Sequence, residues 1–216
     1  MPDLLNNKTV SSQLLEQLPL DLPWHFLDKK NTRIAVAMSG GVDSSMVAWL
    51  LKQAGFENLI GFTAWTLNGP GKCCNDALIN AGRVCEVLDF PYDTVDLRGK
   101  FSHFVMDYYE KSYEEGLTPN PCVECNRYVK WQALVEYARD VLKADFVATG
   151  HYTRIIHDEN NIPHVYCGED KNKDQSYMLA QVRPEDLKYT LFPLGLLQKP
   201  QLVDIAKQVG IPTAHS

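Results

Sequence analysis

The sequence predicts an α/β fold, a doubly wound parallel sheet with helices on both faces. Short apolar runs of strand length alternate with longer segments of helical period. Repeated strand–helix pairs imply right-handed crossovers and hence parallel neighbours. Three segments, 39–45, 64–65 and 150–151, fall just beyond strand ends, which is where such sheets hold ligands.

Residues 1–31 read as a polar arm. It has one short amphipathic stretch at 14–20, interrupted by Pro19 and Pro23. The alternation begins with Ile34-Ala35-Val36-Ala37-Met38, within a strand expected at 33–38. A helix follows at 44–54, closed by Gly55, and a second strand at 59–63. Ala77, Leu78, Ala81, Val84, Cys85 and Leu88 recur near a 3.6 period, so 75–88 is a helix. A third strand covers 92–95 and a helix 101–114, broken between 116 and 121. Within a long helix at 126–142, Trp131, Leu134, Val135, Ala138, Val141 and Leu142 share a face. A buried strand is expected at 146–149. After Arg154 the pattern loosens into a polar turn at 157–161, a short strand at 163–167 and a polar stretch at 171–175. A last helix at 201–208 is stopped by Gly210 and Pro212.

The 216 residues are 45% hydrophobic, enough for one good-sized domain and the start of another. A net charge of −6 argues against a broad nucleic-acid-binding face, although residues 120–154 carry five basic side chains against four acidic ones. No run is long enough to span a membrane, and the first 30 residues lack the order of a secretory signal. Six cysteines in such a chain suggest thiols, a metal site or catalysis rather than structural disulfides. The expectation is a cytoplasmic enzyme. No glycine pattern for S-adenosylmethionine is present.

Four motifs carry chemistry. In Ser39-Gly40-Gly41-Val42-Asp43-Ser44-Ser45 a buried strand turns through two glycines into a helix. Glycine lets the backbone approach a ligand, and the bare N–H groups and positive dipole of a helix start attract phosphate. Ser39, Ser44 and Ser45 add hydroxyl donors. Asp43 sits where an N-cap would and could help to hold Mg2+. The loop lacks the lysine ending of a Walker P-loop and the Gly-x-Gly-x-x-Gly fingerprint.

The second motif is Thr118-Pro119-Asn120-Pro121-Cys122-Val123-Glu124-Cys125-Asn126-Arg127, with a helix expected to begin just after Cys125. A helix start favours thiolate, and Arg127 and Lys130 would favour it further. Structural zinc, a redox dithiol, two inert thiols and a sulfur-handling site stay open for Cys122 and Cys125. The third motif is Ala148-Thr149-Gly150-His151-Tyr152, and its histidine is either structural or a ligand contact at the sheet edge. The fourth, Asp170-Lys171-Asn172-Lys173-Asp174-Gln175-Ser176-Tyr177, reads on its own as a solvated charged turn.

The first motif resembles the PP-loop of ATP pyrophosphatases, which split ATP between the α- and β-phosphates. In order and spacing, the four together resemble the tRNA-specific 2-thiouridylase family, from about Arg33 to the end of the chain. That resemblance implies a Rossmann-like PP-loop domain at 32–165 and the start of a tRNA-contacting domain at 166–216. It implies ATP-dependent exchange of O2 of the wobble uridine for sulfur: ATP adenylates the uracil oxygen, then a protein-held sulfur displaces AMP. ATP and Mg2+ are the implied cofactors, with tRNA and a persulfide-carrying sulfur donor as partners.

The resemblance assigns Ala37, Met38, Ser39, Gly40, Gly41, Val42, Asp43 and Ser44 to the ATP phosphates, and Ala64 and Gly150 to the nucleoside. Asn120, Pro121 and Cys122 would approach the target base, while His151, Lys173, Asp174 and Gln175 would contact tRNA. Cys125 matches the nucleophile position. The wobble base would have to be extruded from its loop to reach the site.

Some relatives carry Asp where this chain has Cys122. The Cys-x-x-Cys form implies an iron–sulfur cluster held by three cysteines, two of them Cys122 and Cys125; the other form implies a persulfide relay, and both readings stand. The family's other essential cysteine follows a Pro-Thr-Ala-like segment, here Pro212-Thr213-Ala214, and the family also has a C-terminal β-barrel. The 216-residue chain is therefore expected to bind ATP but not to thiolate tRNA alone. Cys73, Cys74 and Cys85 are the cysteines left to substitute, with Cys85 better placed as core. Two rival readings are an ATP pyrophosphatase that forms an amide with ammonia, and a degenerate nucleotide-binding module with structural zinc.

Overall fold

The computed structural model describes residues 27–67 and 72–215, the side chains of residues 72–75 excepted. Most of the N-terminal arm lies outside the described residues, and so do the side chains of Cys73 and Cys74.

Five parallel strands form the sheet in the order β3-β2-β1-β4-β7. They are β1 Ile34–Ala37, β2 Leu59–Trp65, β3 Tyr92–Asp96, β4 Phe146–Ala148 and β7 Thr190–Leu191. In register, Ile34 pairs with Leu59 on one side and with Phe146 on the other. This is the doubly wound parallel sheet that the alternation predicts. Strand order reverses at β1, so the crevice between the ends of β1 and β4 is the topological switch point.

Helix α1 (Val42–Gln53) follows β1 and α2 (Lys72–Val87) follows β2. Helix α3 runs through Arg98–Phe101, a π-helical Ser102–Met106 and Asp107–Glu114. Helix α4 runs through Pro121–Glu124, a π-helical Cys125–Leu134 and Val135–Asp140. Helix α5 is Pro184–Leu187, and α6 is Lys199–Val209, closed by Gly210 in the left-handed conformation at φ 75°.

Strand alternation divides the core into two layers. Ile34 and Val36 pack with Met46, Leu50, Val84, Cys85 and Leu202 against α1, α2 and α6. Ala35, Ile60 and Phe62 pack with Val105, Trp131 and Leu134 against α3 and α4. Burial pushes the Cys85 thiol up to about 12, so it stays an inert core group.

Three sequence expectations need correction. The helix carrying the cysteine pair begins at Pro121, not after Cys125, because proline suits a first helical position and its missing N–H costs nothing there. That helix ends at Asp140, and Val141 turns outward, 57% exposed, instead of joining the apolar face. Residues 153–156, given no element in the sequence reading, and His157, read there as the start of a turn, form β5 (Thr153–His157), antiparallel to β6 (Pro163–Cys167). Strand β7 and helix α6, from the segment after residue 166, join the main sheet and the first core layer.

Candidate active site

The serine–glycine turn leaves β1 and enters α1 with Gly41 as N-cap, its backbone extended and no side chain capping. The first N–H groups of α1 thus have no partner within the helix. Asp43 is the second residue of α1 rather than its cap, a correction to the sequence reading. Gly40 has φ 75°, and a Cβ there would lie 2.5 Å from the Ala77 carbonyl oxygen, so α2 presses directly on the turn. The Ser39 N–H donates to Ser44 Oγ at 3.1 Å, and the Ser45 hydroxyl donates to the Gly41 carbonyl at 2.8 Å. Thr213 in turn donates to Ser45 Oγ at 2.8 Å.

Beyond the strand ends lies a cavity of about 620 Å³. Of the residues expected from sequence, Ala37, Met38, Ser39, Asp43, Ser44, Ala64, Cys125, Gly150, His151, Lys173 and Gln175 line it. Cys125 and the serine–glycine turn therefore share one cavity. Gly40 and Gly41, in the turn, and Val42, the first residue of α1, are not part of the lining. Asn120, Pro121 and the exposed Cys122 stand at the start of α4, outside the lining. The Asp174 carboxylate is used within its own loop, accepting from the Gly168 N–H at 2.9 Å and the Ser176 hydroxyl at 2.8 Å.

Among the described residues that line the cavity, Lys130, Lys173 and Lys199 face one carboxylate, Asp43, so the lining carries an excess of positive charge. Lys199 Nζ lies 2.6 Å from Asp43 Oδ1, and the Tyr152 hydroxyl donates to the same oxygen at 2.9 Å. Burial, with the Asp43 charge beside it, pushes the Tyr152 phenol well above its usual range, so it stays a donor. Lys199-Pro200 fits the family resemblance in the sequence, but neither Lys199 nor the Tyr152 hydroxyl was given a role there. The one local sign of Lys199 is a lysine opening a helix, where the dipole disfavours a cation.

Gln175 and Tyr152 exchange two hydrogen bonds: the Tyr152 N–H donates to Gln175 Oε1 at 3.1 Å, and the Gln175 N–H to the Tyr152 carbonyl at 3.0 Å. Asp170, only 3% exposed, accepts from the N–H groups of Asn172 and Lys199. The fourth motif is thus an exposed turn at 171–173 whose flanks, Asp170 and 174–176, fold against the site.

His151 Nδ1 lies 2.9 Å from Thr149 Oγ1, and the ring packs between Trp131 and Phe192. Burial, helped by the Lys130 charge, pushes its pKa down to about 3, so the imidazole is neutral at ordinary pH. Burial raises the Cys125 thiol, opposed by the charge of Lys130. The expected thiolate-favouring helix start is corrected here: Cys125 lies in the second turn of a helix that begins at Pro121, and burial raises its thiol.

Asp43 fits Mg2+, which commonly takes one carboxylate together with substrate phosphates. Among the described residues no group of three or more His, Cys, Asp or Glu comes together to hold a metal ion, and Cys122 and Cys125 alone fall short of a three-cysteine set. The described residues do not by themselves fit a cluster. Nor, among them, is any helix long and apolar enough to cross a membrane.

A family model described as "tRNA methyl transferase HUP domain" matches residues 32–216. The tRNA-specific 2-thiouridylase MnmA of Acaryochloris marina is 43% identical over 184 residues, covering 85% of this chain and 52% of that protein. Its Synechococcus counterpart is 42% identical, covering 85% and 51%. The chain spans about half the length of the curated relatives it matches.

Two solved structures share the fold. The U34-tRNA thiolase NcsA from Methanococcus maripaludis, with its 4Fe-4S cluster, has a TM-score of 0.54 at 18% identity, covering 93% of this chain and 62% of that one. The NH3-dependent NAD synthetase from Campylobacter jejuni has a TM-score of 0.52 at 19% identity, covering 93% and 73%. The chain belongs to the tRNA-specific 2-thiouridylase family, through a HUP domain that fills residues 32–216.

Proposed function

We propose that this chain is the nucleotide-binding, base-activating part of an enzyme that thiolates a tRNA uridine. One observation carries the reading: the phosphate-type turn, through Ser39, Asp43 and Ser44, and the thiol of Cys125 open into the same cavity. The curated relatives, named as tRNA-specific 2-thiouridylases, support it.

In this reading the phosphates of ATP lie on the N–H groups at the start of α1, and Lys199 and Lys173 face them. The nucleoside rests near Ala64 and Gly150. Gly150 has no side chain where a Cβ would lie 3.1 Å from Ser44 N, which keeps the wall open there. Mg2+ on Asp43 would offset charge on the leaving pyrophosphate. The uracil O2 attacks the α-phosphorus, and the bond to the β-phosphate oxygen breaks. A persulfide sulfur carried on Cys125 and supplied by a donor protein then attacks C2, and AMP departs with the former O2. A second thiol, for which the family resemblance supplies its other essential cysteine, attacks Cys125 Sγ; a disulfide forms, the bond from Cys125 to the transferred sulfur breaks, and the thiouridine is freed. Adenylation is needed because the uracil carbonyl is a weak electrophile with no leaving group of its own.

Residues 166–216 carry Lys173 and Gln175 to the cavity, which supports them as the tRNA-facing part. Neutral His151 would meet RNA by stacking and hydrogen bonding rather than by charge. The amide-forming alternative shares the fold with the Campylobacter synthetase, but it gives the thiol in the cavity no task.

The test separates the two steps. The chain is incubated with α-labelled ATP and an anticodon stem-loop bearing the uridine. RNA-dependent pyrophosphate release and an AMP-linked base are expected, and Asp43→Ala abolishes both. In an assay that contains a donor carrying labelled persulfide sulfur, the wild-type chain is expected to take up the label on Cys125, read by peptide mass spectrometry, and Cys125→Ser to keep pyrophosphate release and lose the label. A Cys125→Ser protein that still takes up the label overturns the assignment.

A further inference from the structure

We propose that Lys199 is the pyrophosphate-holding cation of this site, and that Asp43 parks it there until nucleotide arrives. The proposal rests on the ATP-binding reading above and adds a residue and a sequence of events to it.

Lys199 reaches Asp43 across 156 positions of sequence, with Nζ 2.6 Å from Oδ1 and 2.5 Å from Oδ2. Both residues line the cavity beside Ser39 and Ser44. Neither side chain is sealed off, with 26% of Lys199 and 33% of Asp43 exposed, so an entering ligand can reach the pair.

The position of Lys199 on its helix is not one that helix formation favours. It is the first residue of α6, where the dipole repels a cation, whereas Lys207 sits in the favourable last turn. Its main chain is pinned: the N–H donates to buried Asp170 at 2.9 Å, and Pro200 follows in the first turn. The movable part is the side chain.

A polyphosphate offers several charged oxygens where Asp43 offers two, so Nζ should transfer to the phosphates as they settle on the start of α1. Asp43 does not then collapse, because the Tyr152 hydroxyl still donates to it at 2.9 Å. Its freed face is left toward the phosphates and can take Mg2+. One displacement therefore arms both the lysine and the carboxylate. The competing account is a fixed ion pair that merely ties α6 to α1.

The two accounts separate on ligand selectivity. The chain is titrated calorimetrically with ATP, pyrophosphate and AMP, with and without Mg2+, as wild type, Lys199→Gln and Lys199→Arg. Lys199→Gln is expected to weaken ATP and pyrophosphate at least tenfold while AMP stays within twofold, and Lys199→Arg to recover most of the loss. As a second variant, Asp43→Asn releases the lysine. It is expected to tighten pyrophosphate several-fold in the absence of Mg2+ and to lose the gain that Mg2+ gives the wild type. A Lys199→Gln protein that shifts all three ligands equally, or only lowers the melting temperature, overturns the proposal and leaves the ATP site standing. A wild-type chain that binds neither ATP nor pyrophosphate overturns both.

Discussion

The Tyr152 hydroxyl and Asp43 Oδ1 lie 2.9 Å apart across 109 positions of sequence, joining the turn after β4 to the helix after β1. Through this bond the two sides of the switch-point crevice hold each other, with the fourth motif fastened behind Tyr152 by Gln175. Tyr152→Phe keeps the buried ring and removes only the donor. Stability is expected to fall by ~1 kcal/mol, since Asp43 retains Lys199. Urea unfolding measures this, and an unchanged midpoint would contradict it.

Gly40 and Gly41 are neighbours with opposite demands. Gly40 has φ 75° and faces the Ala77 backbone, while Gly41 has φ −98° and only Ser39 Oγ, 3.7 Å from a built Cβ. Gly40→Ala is expected to cost about 1–3 kcal/mol for the left-handed backbone alone, with ATP affinity falling because α2 is pushed off the turn. Gly41→Ala should leave the urea midpoint nearly unchanged. Equal effects of the two would remove the close approach of α2 as the cause.

His151 is held neutral, with its pKa lowered from 6.5 to about 3. The unfolded chain takes up this proton as pH falls through about 6.5, while the native chain resists it until about 3. Between those values the unfolded state binds more protons, so this group makes stability decline as pH falls. His151→Gln is expected to flatten the decline between pH 6.5 and 4 in urea titrations. An identical slope in wild type and variant would show that His151 is not the group responsible.

Cys122 is exposed and Cys125 is half-buried on the cavity wall, with its thiol raised by burial. Iodoacetamide should therefore label Cys122 before Cys125 at pH 7. Raising the pH should speed Cys125, and saturating ATP should slow Cys125 alone. Peptide mass spectrometry resolves the sites. ATP protection of Cys122 with none at Cys125 would place the nucleotide elsewhere.

What was legible in the sequence was local. Ile34-Ala35-Val36-Ala37 must be buried on both faces, so it reads as an interior strand without reference to its neighbours. Gly40 and Gly41 mark a turn between strand and helix, and the structure adds that Gly40 alone is left-handed. Thr153–His157 escaped notice because its alternation is weak and its partner, Pro163–Cys167, supplies the pairing. The start of α4 was misplaced because the cysteines, rather than Pro121, drew the boundary.

The sequence by itself determined the alternation of strands and helices, the phosphate-type turn and the presence of a thiol pair, because each depends on residues within one or two turns of each other. Only the tertiary structure decided that Lys199 meets Asp43, that Asp170 anchors α6, and that Cys125 is desolvated at the cavity wall instead of exposed at a helix tip. Charge pairing and burial arise between segments more than a hundred residues apart in the Lys199 case, and no local pattern of residues records which distant side chain will arrive.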